Sequence, residues 1–195
     1  MSKEGKTGVS ANTPKNIMFG AGTIHKGLKY TSNAWNFDST IVGATSGGSK
    51  LSIVPEITNI EVDGALVKAK GLEVKTGEKA TMEINFIELT KDIIKAATIG
   101  TDGTSDDATN YDVIESKANI ATGDYWENIA FVGKTLEGKN IIAIMDNALC
   151  TSGFEQEGKN KEGAVGKYTF ECHADLTSDL DKLPWHIYYP KASEI

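Results

Sequence analysis

Alternation of apolar and polar residues organises most of this chain into strands. In "ATMEINFIEL", starting at Ala80, Met82, Ile84 and Phe86 fall on one face while Thr81, Glu83 and Asn85 fall on the other. Successive side chains of a strand point to opposite faces, so one set reads as core and the other must look at solvent, a partner or a ligand. "KLSIVPEITNIEVDG" sets Ile60 and Val62 against Asn59, Glu61 and Asp63 and turns at Asp63-Gly64. "YWENIAFVGKTLEGKNIIAIMDNALC" reads as two strands joined by a turn at Glu137-Gly138-Lys139-Asn140. In "GKYTFECHADL", Tyr168, Phe170, Cys172 and Ala174 point inward and Thr169, Glu171, His173 and Asp175 outward. "KNIMFGAGTIHKGL", broken by glycines, and "PWHIYYP", bounded by Pro184 and Pro190, complete the strand set.

A single helix stands out. Thr90 suits the N-cap, Asp92 the first turn and Lys95 the last; Ile93, Ile94 and Ala97 make an apolar stripe, and Gly100 ends it. So short a helix forms only by packing on a sheet. The polar residues 1–15 read as a flexible arm, 31–50 as a long connection ending in "GATSGGSK", and 101–112 and 151–163 as mobile loops. Residues 16–195 then make one mainly antiparallel β domain.

Composition narrows the function classes. The chain has 195 residues and a net charge of −7, and its 20 basic residues are all lysine. Without arginine, and with an acidic balance, it lacks the basic footprint of a conventional nucleic-acid binder. The N-terminus has no apolar signal-peptide core and no run is long enough to span a membrane, so the expectation is a protein made and folded in a cytosol. Cys150 and Cys172 read as buried thiols.

Catalytic signatures are weak. "GATSGGSK" approaches the phosphate-binding loop, but it reads Gly48-Ser49-Lys50 where Gly-Lys-Ser/Thr is needed, and a strand follows instead of a helix. Asp102, Asp106, Asp107 and Asp112 lack the spacing of a calcium loop. His25, His173 and His186 lie on different strands without ligand spacing, and Ser46, Ser49 and Ser52 sit in no nucleophile elbow. The residues read as no enzyme, with no cofactor and no metal.

The order of "NIMFGAGTIHKG", a long glycine-containing loop, "PEITNIEVDG", "GLEVKTGEKATMEINFIEL" leading into a short helix, and a closing "HIYYP" resembles the major tail tube proteins of tailed bacteriophages and related phage-tail-like particles of Gram-positive hosts. The resemblance runs from about Asn16 to Pro190. It implies two packed antiparallel sheets forming a barrel-like sandwich with one flanking short helix. It also implies six subunits in a ring whose sheets join around a channel, and rings stacked through the long loop and terminal arms. Implied partners are further copies of the chain, a tape measure protein and double-stranded DNA in the lumen, and sheath or tail-completion proteins. The implied location is the virion tail, assembled in the host cytoplasm.

Under that resemblance the polar faces supply channel-facing candidates: Glu61, Asp63, Glu83, Asn85, Glu171 and Asp175. Ring-stacking candidates are Trp35, Phe37, Gly47, Gly48, Lys50, Trp185, Tyr188 and Tyr189. Closing sheet edges between subunits also removes the aggregation hazard that open strands carry. Alternatives are the inner tube of a contractile particle or bacteriocin-like device, which shares the fold, and a monomeric β-sandwich binding module with an exposed aromatic groove.

Overall fold

The computed structural model describes residues 8–10, 12–158 and 160–191. In chain order the elements are α1 (Thr13–Asn16), β1 (Met18–Lys26), β2 (Tyr30–Thr31), β3 (Ala34–Trp35), β4 (Thr45–Asn59), β5 (Glu73–Phe86) and α2 (Lys91–Thr98). They continue with β6 (Thr101–Gly103), β7 (Val113–Glu115), β8 (Trp126–Thr135), β9 (Asn140–Cys150), β10 (Gly166–Cys172) and β11 (Trp185–Tyr188). The fold is mainly β and antiparallel with a short packed helix, as the alternation predicts. One sheet, in the order β1-β8-β9-β10-β5-β4 with β11 also on β9, supplies both layers of the sandwich.

The core lies between the two halves of that sheet. Ala80, Met82, Ile84 and Phe86 of β5 are at most 2% exposed and meet Tyr168, Phe170 and Cys172 of β10, Ile129 of β8, Met145 of β9 and Ile24 of β1. Helix α2 adds Ile93, Ala96 and Ala97; Ile94, read as part of its stripe, is only partly covered. Thr90 caps it by accepting from the Ile93 N–H at 3.4 Å. The left-handed residue after the helix is Ile99, φ 50°, not Gly100. Gly100 serves a different need, because a Cβ there would lie 2.6 Å from Cγ2 of Ile114 on β7.

One strand belongs to both halves. Along β9, Met145 to Ile142 pair with β11, whereas Cys150 and Ala148 pair with β10 on the same edge. Ile142 and Ile144 belong to an outer cluster under Trp35 and Phe37, yet Ala148 and Cys150, of the same parity, belong to the main core. The change of face falls at Asn147, which adopts φ 48°. Its Nδ2 donates to the His173 carbonyl at 3.2 Å, tying the corner to the end of β10. Strands that pass from one layer to another turn through such local departures from β geometry.

The opposite margin is closed by residues 40–44. Lys26 N–H donates to the Thr40 carbonyl at 2.8 Å, Val42 N–H to Ile24 at 3.0 Å and Ile87 N–H to Ala44 at 3.0 Å. His25, 2% exposed, lies in this seam. Its Nδ1 is 2.9 Å from the Thr40 hydroxyl and its Nε2 2.8 Å from that of Thr23. Thr40 donates its own proton to the Asn36 carbonyl at 2.9 Å, so Nδ1–H donates to Thr40 and Nε2 accepts from Thr23. Burial lowers the His25 pKa from its ordinary 6.5, with a smaller opposing contribution from the Phe37 backbone.

Several connections differ from their reading as loops. Segment 31–50 holds the β2–β3 hairpin, a 3-10 turn at Phe37–Ser39, the seam, and the first six residues of β4. The hairpin turns on Ser32 and Asn33 at φ 52° and 62°, a two-residue turn without the expected glycine. Within 101–112, Thr101–Gly103 pairs with β7. In 151–163, Phe154 stacks on Tyr168 and Gln156 accepts from the Tyr168 hydroxyl at 3.4 Å. Just over half of the arm read over 1–15 lies outside the described residues; its last three residues begin α1, which spans Thr13–Asn16. Cys150 and Cys172 are free and buried.

Two predictions follow the corner and the seam. Asn147→Gly keeps the left-handed backbone and loses one hydrogen bond, about 1 kcal/mol. Asn147→Val adds the cost of a β-branched residue at positive φ, about 1–3 kcal/mol more, and urea denaturation separates the two. For His25, the unfolded chain takes up a proton below 6.5 that the folded chain resists. Stability is therefore full above that value and falls as pH drops from it toward the lowered folded value. Urea midpoints measured at about pH 8 and about pH 5 should show this loss, smaller in His25→Gln.

Candidate functional site

The outward face of β4, β5 and β10 is a polar ladder built by register. Lys50 on β4 stands opposite Glu83 on β5, and Thr169 on β10 stands opposite Glu83 from the other side. Ser52, Thr81 and Glu171 make the next rung, and Asn85 faces Lys167. Because the opposite parity of β5 is buried from Ala80 to Phe86, these side chains have no choice but to point away from the core. The Glu83 carboxylate reaches Lys167 at 2.5 Å with one oxygen and Lys50 at 3.6 Å with the other. Glu171 pairs with Lys79 at 3.3 Å. Lys167 first, then Lys50, holds the Glu83 carboxyl below its ordinary pKa. Asn85 Nδ2 donates to the carbonyls of Gly47 (3.4 Å) and Gly48 (3.1 Å), whose φ of 86° and 82° form a bulge in β4.

Of the six channel-facing candidates, Glu83, Asn85 and Glu171 share this face. Glu61 and Asp63 lie elsewhere, at the tip of the β4–β5 hairpin. Asp175 lies beyond β10, where its carboxylate accepts from the N–H and hydroxyl of Thr177 at 2.8 and 2.7 Å and is held below its ordinary pKa by them. The face is of mixed charge, not acidic: three lysines stand among two carboxylates, each lysine within ion-pair distance of one.

The β4–β5 hairpin extends past the body as an arm. Beyond Val54 and Lys79 its apolar side chains lose contact with the core, and Ile57, Ile60, Val62 and Val74 are exposed. Ile57 is on the face that carries Lys79 and Val74 on the opposite one, so both faces of the arm carry exposed apolar groups. At the tip, Leu66 is 99% and Val67 80% exposed. The tip is nonetheless shaped: Ile60 N–H donates to Leu72 at 2.7 Å, Ala65 to Val62 at 3.1 Å and Leu72 to Ala69 at 3.1 Å. The sequence reading placed ring stacking on the long loop and the terminal arms and did not single out this hairpin as projecting. The apolar spacing of "EVDGALVKAKGL" was visible, but its lack of cover is a tertiary fact.

The stacking candidates divide. Trp35 and Phe37 pack over Ala130, Val132, Ile142 and Ile144, which is the inner wall of the chain's own second cluster. Trp185 packs on the main core and pairs with Met145. Gly47 and Gly48 form the bulge, and Lys50 belongs to the polar ladder. Tyr188 and Tyr189 are half exposed; Tyr188 meets Trp35 edge-on at 5.0 Å, and the Tyr189 hydroxyl donates to Asn16 at 2.7 Å. Tyr30, Trp35 and Tyr188 thus make a partly exposed aromatic group.

Titratable groups elsewhere are engaged structurally. Lys91 bridges Asp102 and Asp112, both at 3.1 Å, and Lys95 reaches Asp102 at 2.6 Å, so the acidic segment is pinned to α2. Asp124 pairs with Lys117 and accepts from the Ala121 N–H at 2.7 Å. Burial opposes its charge, but these partners together hold its pKa down. His186 lies 3.4 Å from Asp146, whose pKa burial raises. An open cleft of about 680 Å³ is lined by Ile120, Tyr125, Glu127, Asn147, His173 and Leu176 among others. Among the described residues no His/Cys/Asp/Glu group is gathered as a metal set, and no helix is long and apolar enough to cross a membrane.

The two faces of β5 should respond differently to substitution. Ile84→Ala removes a fully buried side chain and costs about 2–5 kcal/mol. Glu83→Gln, one position away and partly exposed, leaves the denaturation midpoint essentially unchanged, because surface ion pairs contribute little. Equal losses from both would mean that the register is not as described. Compared with known proteins, the chain matches no protein-family model and no curated protein.

Proposed function

We propose that this chain is a structural protein of the major tail tube type, a non-enzymatic subunit that closes into hexameric rings and stacks into a hollow conduit for genome delivery. The β4–β5 arm carries the reading. It holds apolar side chains in water on both of its faces, and a second copy of the chain is the partner that would cover them. The sheet edge supports it too. Among the described residues β4 is the last strand of the sheet and pairs with β5 alone, leaving most of a 15-residue edge for a neighbouring copy. In the assembled ring the ladder of Lys50, Glu83, Thr169 and Glu171 faces the channel. Its paired charges leave few free cations to hold the phosphates of a passing duplex. The tape measure protein occupies the same lumen before the DNA, and the location is the virion tail.

The inner tube of a contractile particle shares every one of these features. A monomeric binding module is the second reading, favoured by the partly exposed Tyr30, Trp35 and Tyr188.

The test images concentrated purified protein by negative stain and follows its size by light scattering. Hollow rods are expected from the full chain. A variant with residues 61–71 replaced by Asn-Gly, which turns the arm directly between the paired Ile60 and Leu72, is expected to stay folded and form no rods. Monodisperse single chains at every concentration of the full-length protein, or rods of normal length from the shortened arm, would overturn the proposal. The connection 40–50 is left intact in these proteins, because it carries the seam and the start of β4.

A further inference from the structure

The lysines of the polar ladder are anomalous for a face that must let a polyanion pass. Lys50, Lys79 and Lys167 converge there from three adjacent strands, in a chain whose net charge is −7. Each lysine has a carboxylate within ion-pair distance on a neighbouring strand. Glu83 serves two at once, one with each oxygen, and Glu171 serves the third. Lys167 and Lys79 are reached along the diagonal of the ladder, a geometry that side chains this long satisfy without leaving the face. The neutral positions between them, Ser52, Thr81, Asn85 and Thr169, contribute no charge.

On the reading that this face lines the conduit, we propose that Glu83 and Glu171 are its specificity-determining residues: they mask Lys50, Lys79 and Lys167 against the phosphates of double-stranded nucleic acid. The lysines hold the two carboxylates in register across β4, β5 and β10, and the carboxylates keep the lysines from capturing phosphate. Affinity for a duplex comes from cations that neutralise phosphates and release counterions, so a lysine already facing a carboxylate has little to offer. Glu83 is the dominant mask because it covers two of the three.

The experiment measures fluorescence anisotropy of a labelled DNA duplex with the full chain, kept dilute and dispersed, as salt is raised. Proteins compared are the unsubstituted chain, Glu171→Gln, Glu83→Gln/Glu171→Gln, and a charge-matched control, Glu137→Gln/Glu155→Gln. The unsubstituted chain and the control are expected to bind negligibly. The double variant is expected to bind at least roughly tenfold tighter than the control, with a log–log salt slope of about −2 to −3, as three phosphate contacts give. Glu171→Gln alone, which frees only Lys79, is expected to gain less. Adding Lys50→Gln, Lys79→Gln and Lys167→Gln to the double variant is expected to abolish the gain. Circular dichroism melts establish that each variant is folded. A double variant no tighter than the control, an unsubstituted chain that already binds as tightly, or a gain that survives loss of the three lysines would each overturn the masking role. Rods are not needed for this measurement. Failure to see rods with masking intact would overturn the tube reading alone, and rods with unchanged duplex binding would overturn the masking alone.

Discussion

Everything in this fold depends on β9 serving two layers, and that rests on the backbone of Asn147. An ordinary extended strand keeps one parity facing one way along its whole length. Here Ile144 and Ala148 share a parity and lie in different clusters, and the conversion is made at a single left-handed residue. Asparagine tolerates that region better than most residues, and its side chain is used again to hold the His173 carbonyl. Once β9 has turned, its edge is free of β11 and can accept β10, and β10 in turn fixes β5. The register of β5 then decides which residues are core and which form the polar ladder.

That dependence links packing to surface chemistry. A slip of one residue between β5 and β10 would bury Glu83 and expose Ile84, so the apolar face sets the register that the charged face uses. The ladder contributes little to stability, because exposed pairs are screened and cost side-chain entropy. Its role is better sought in what the surface repels or admits. Pairing in place differs physically from a simply acidic surface: lysines already facing carboxylates offer little to a phosphate, and the carboxylates do not accumulate like-charge repulsion.

The arm obeys the opposite logic. Its backbone bonds are largely satisfied within the hairpin and its tip, so its shape does not need a partner. Its side chains are less satisfied, since both faces carry exposed apolar groups. A free hairpin would be marginal in water; this one is held because β4 and β5 continue into the sheet and share its register. Pro55 and the two irregularities in β4 interrupt the regularity of that edge.

The sequence alone determined the strands with clean alternation, β5 and β10 above all, because burial on one face leaves a period of two that no other element imitates. It also determined the β8–β9 hairpin, whose turn ends with Gly138 at φ 81° as a glycine there suggests, and the capped helix after Thr90. The β2–β3 hairpin stayed hidden because Ser32-Asn33 replaces the glycine that usually marks such a turn. The helix end was misplaced by one residue because a glycine was present for close approach to Ile114, while the left-handed role fell to an isoleucine. Which polar residues meet was decided by tertiary structure alone. Glu83 and Glu171 come together with three lysines through strand order, whereas Glu61, Asp63 and Asp175, equally polar and equally alternating, end on an arm and in a turn. The spacing of apolar residues fixes which way a side chain points; what it then faces depends on strands that are distant in the chain.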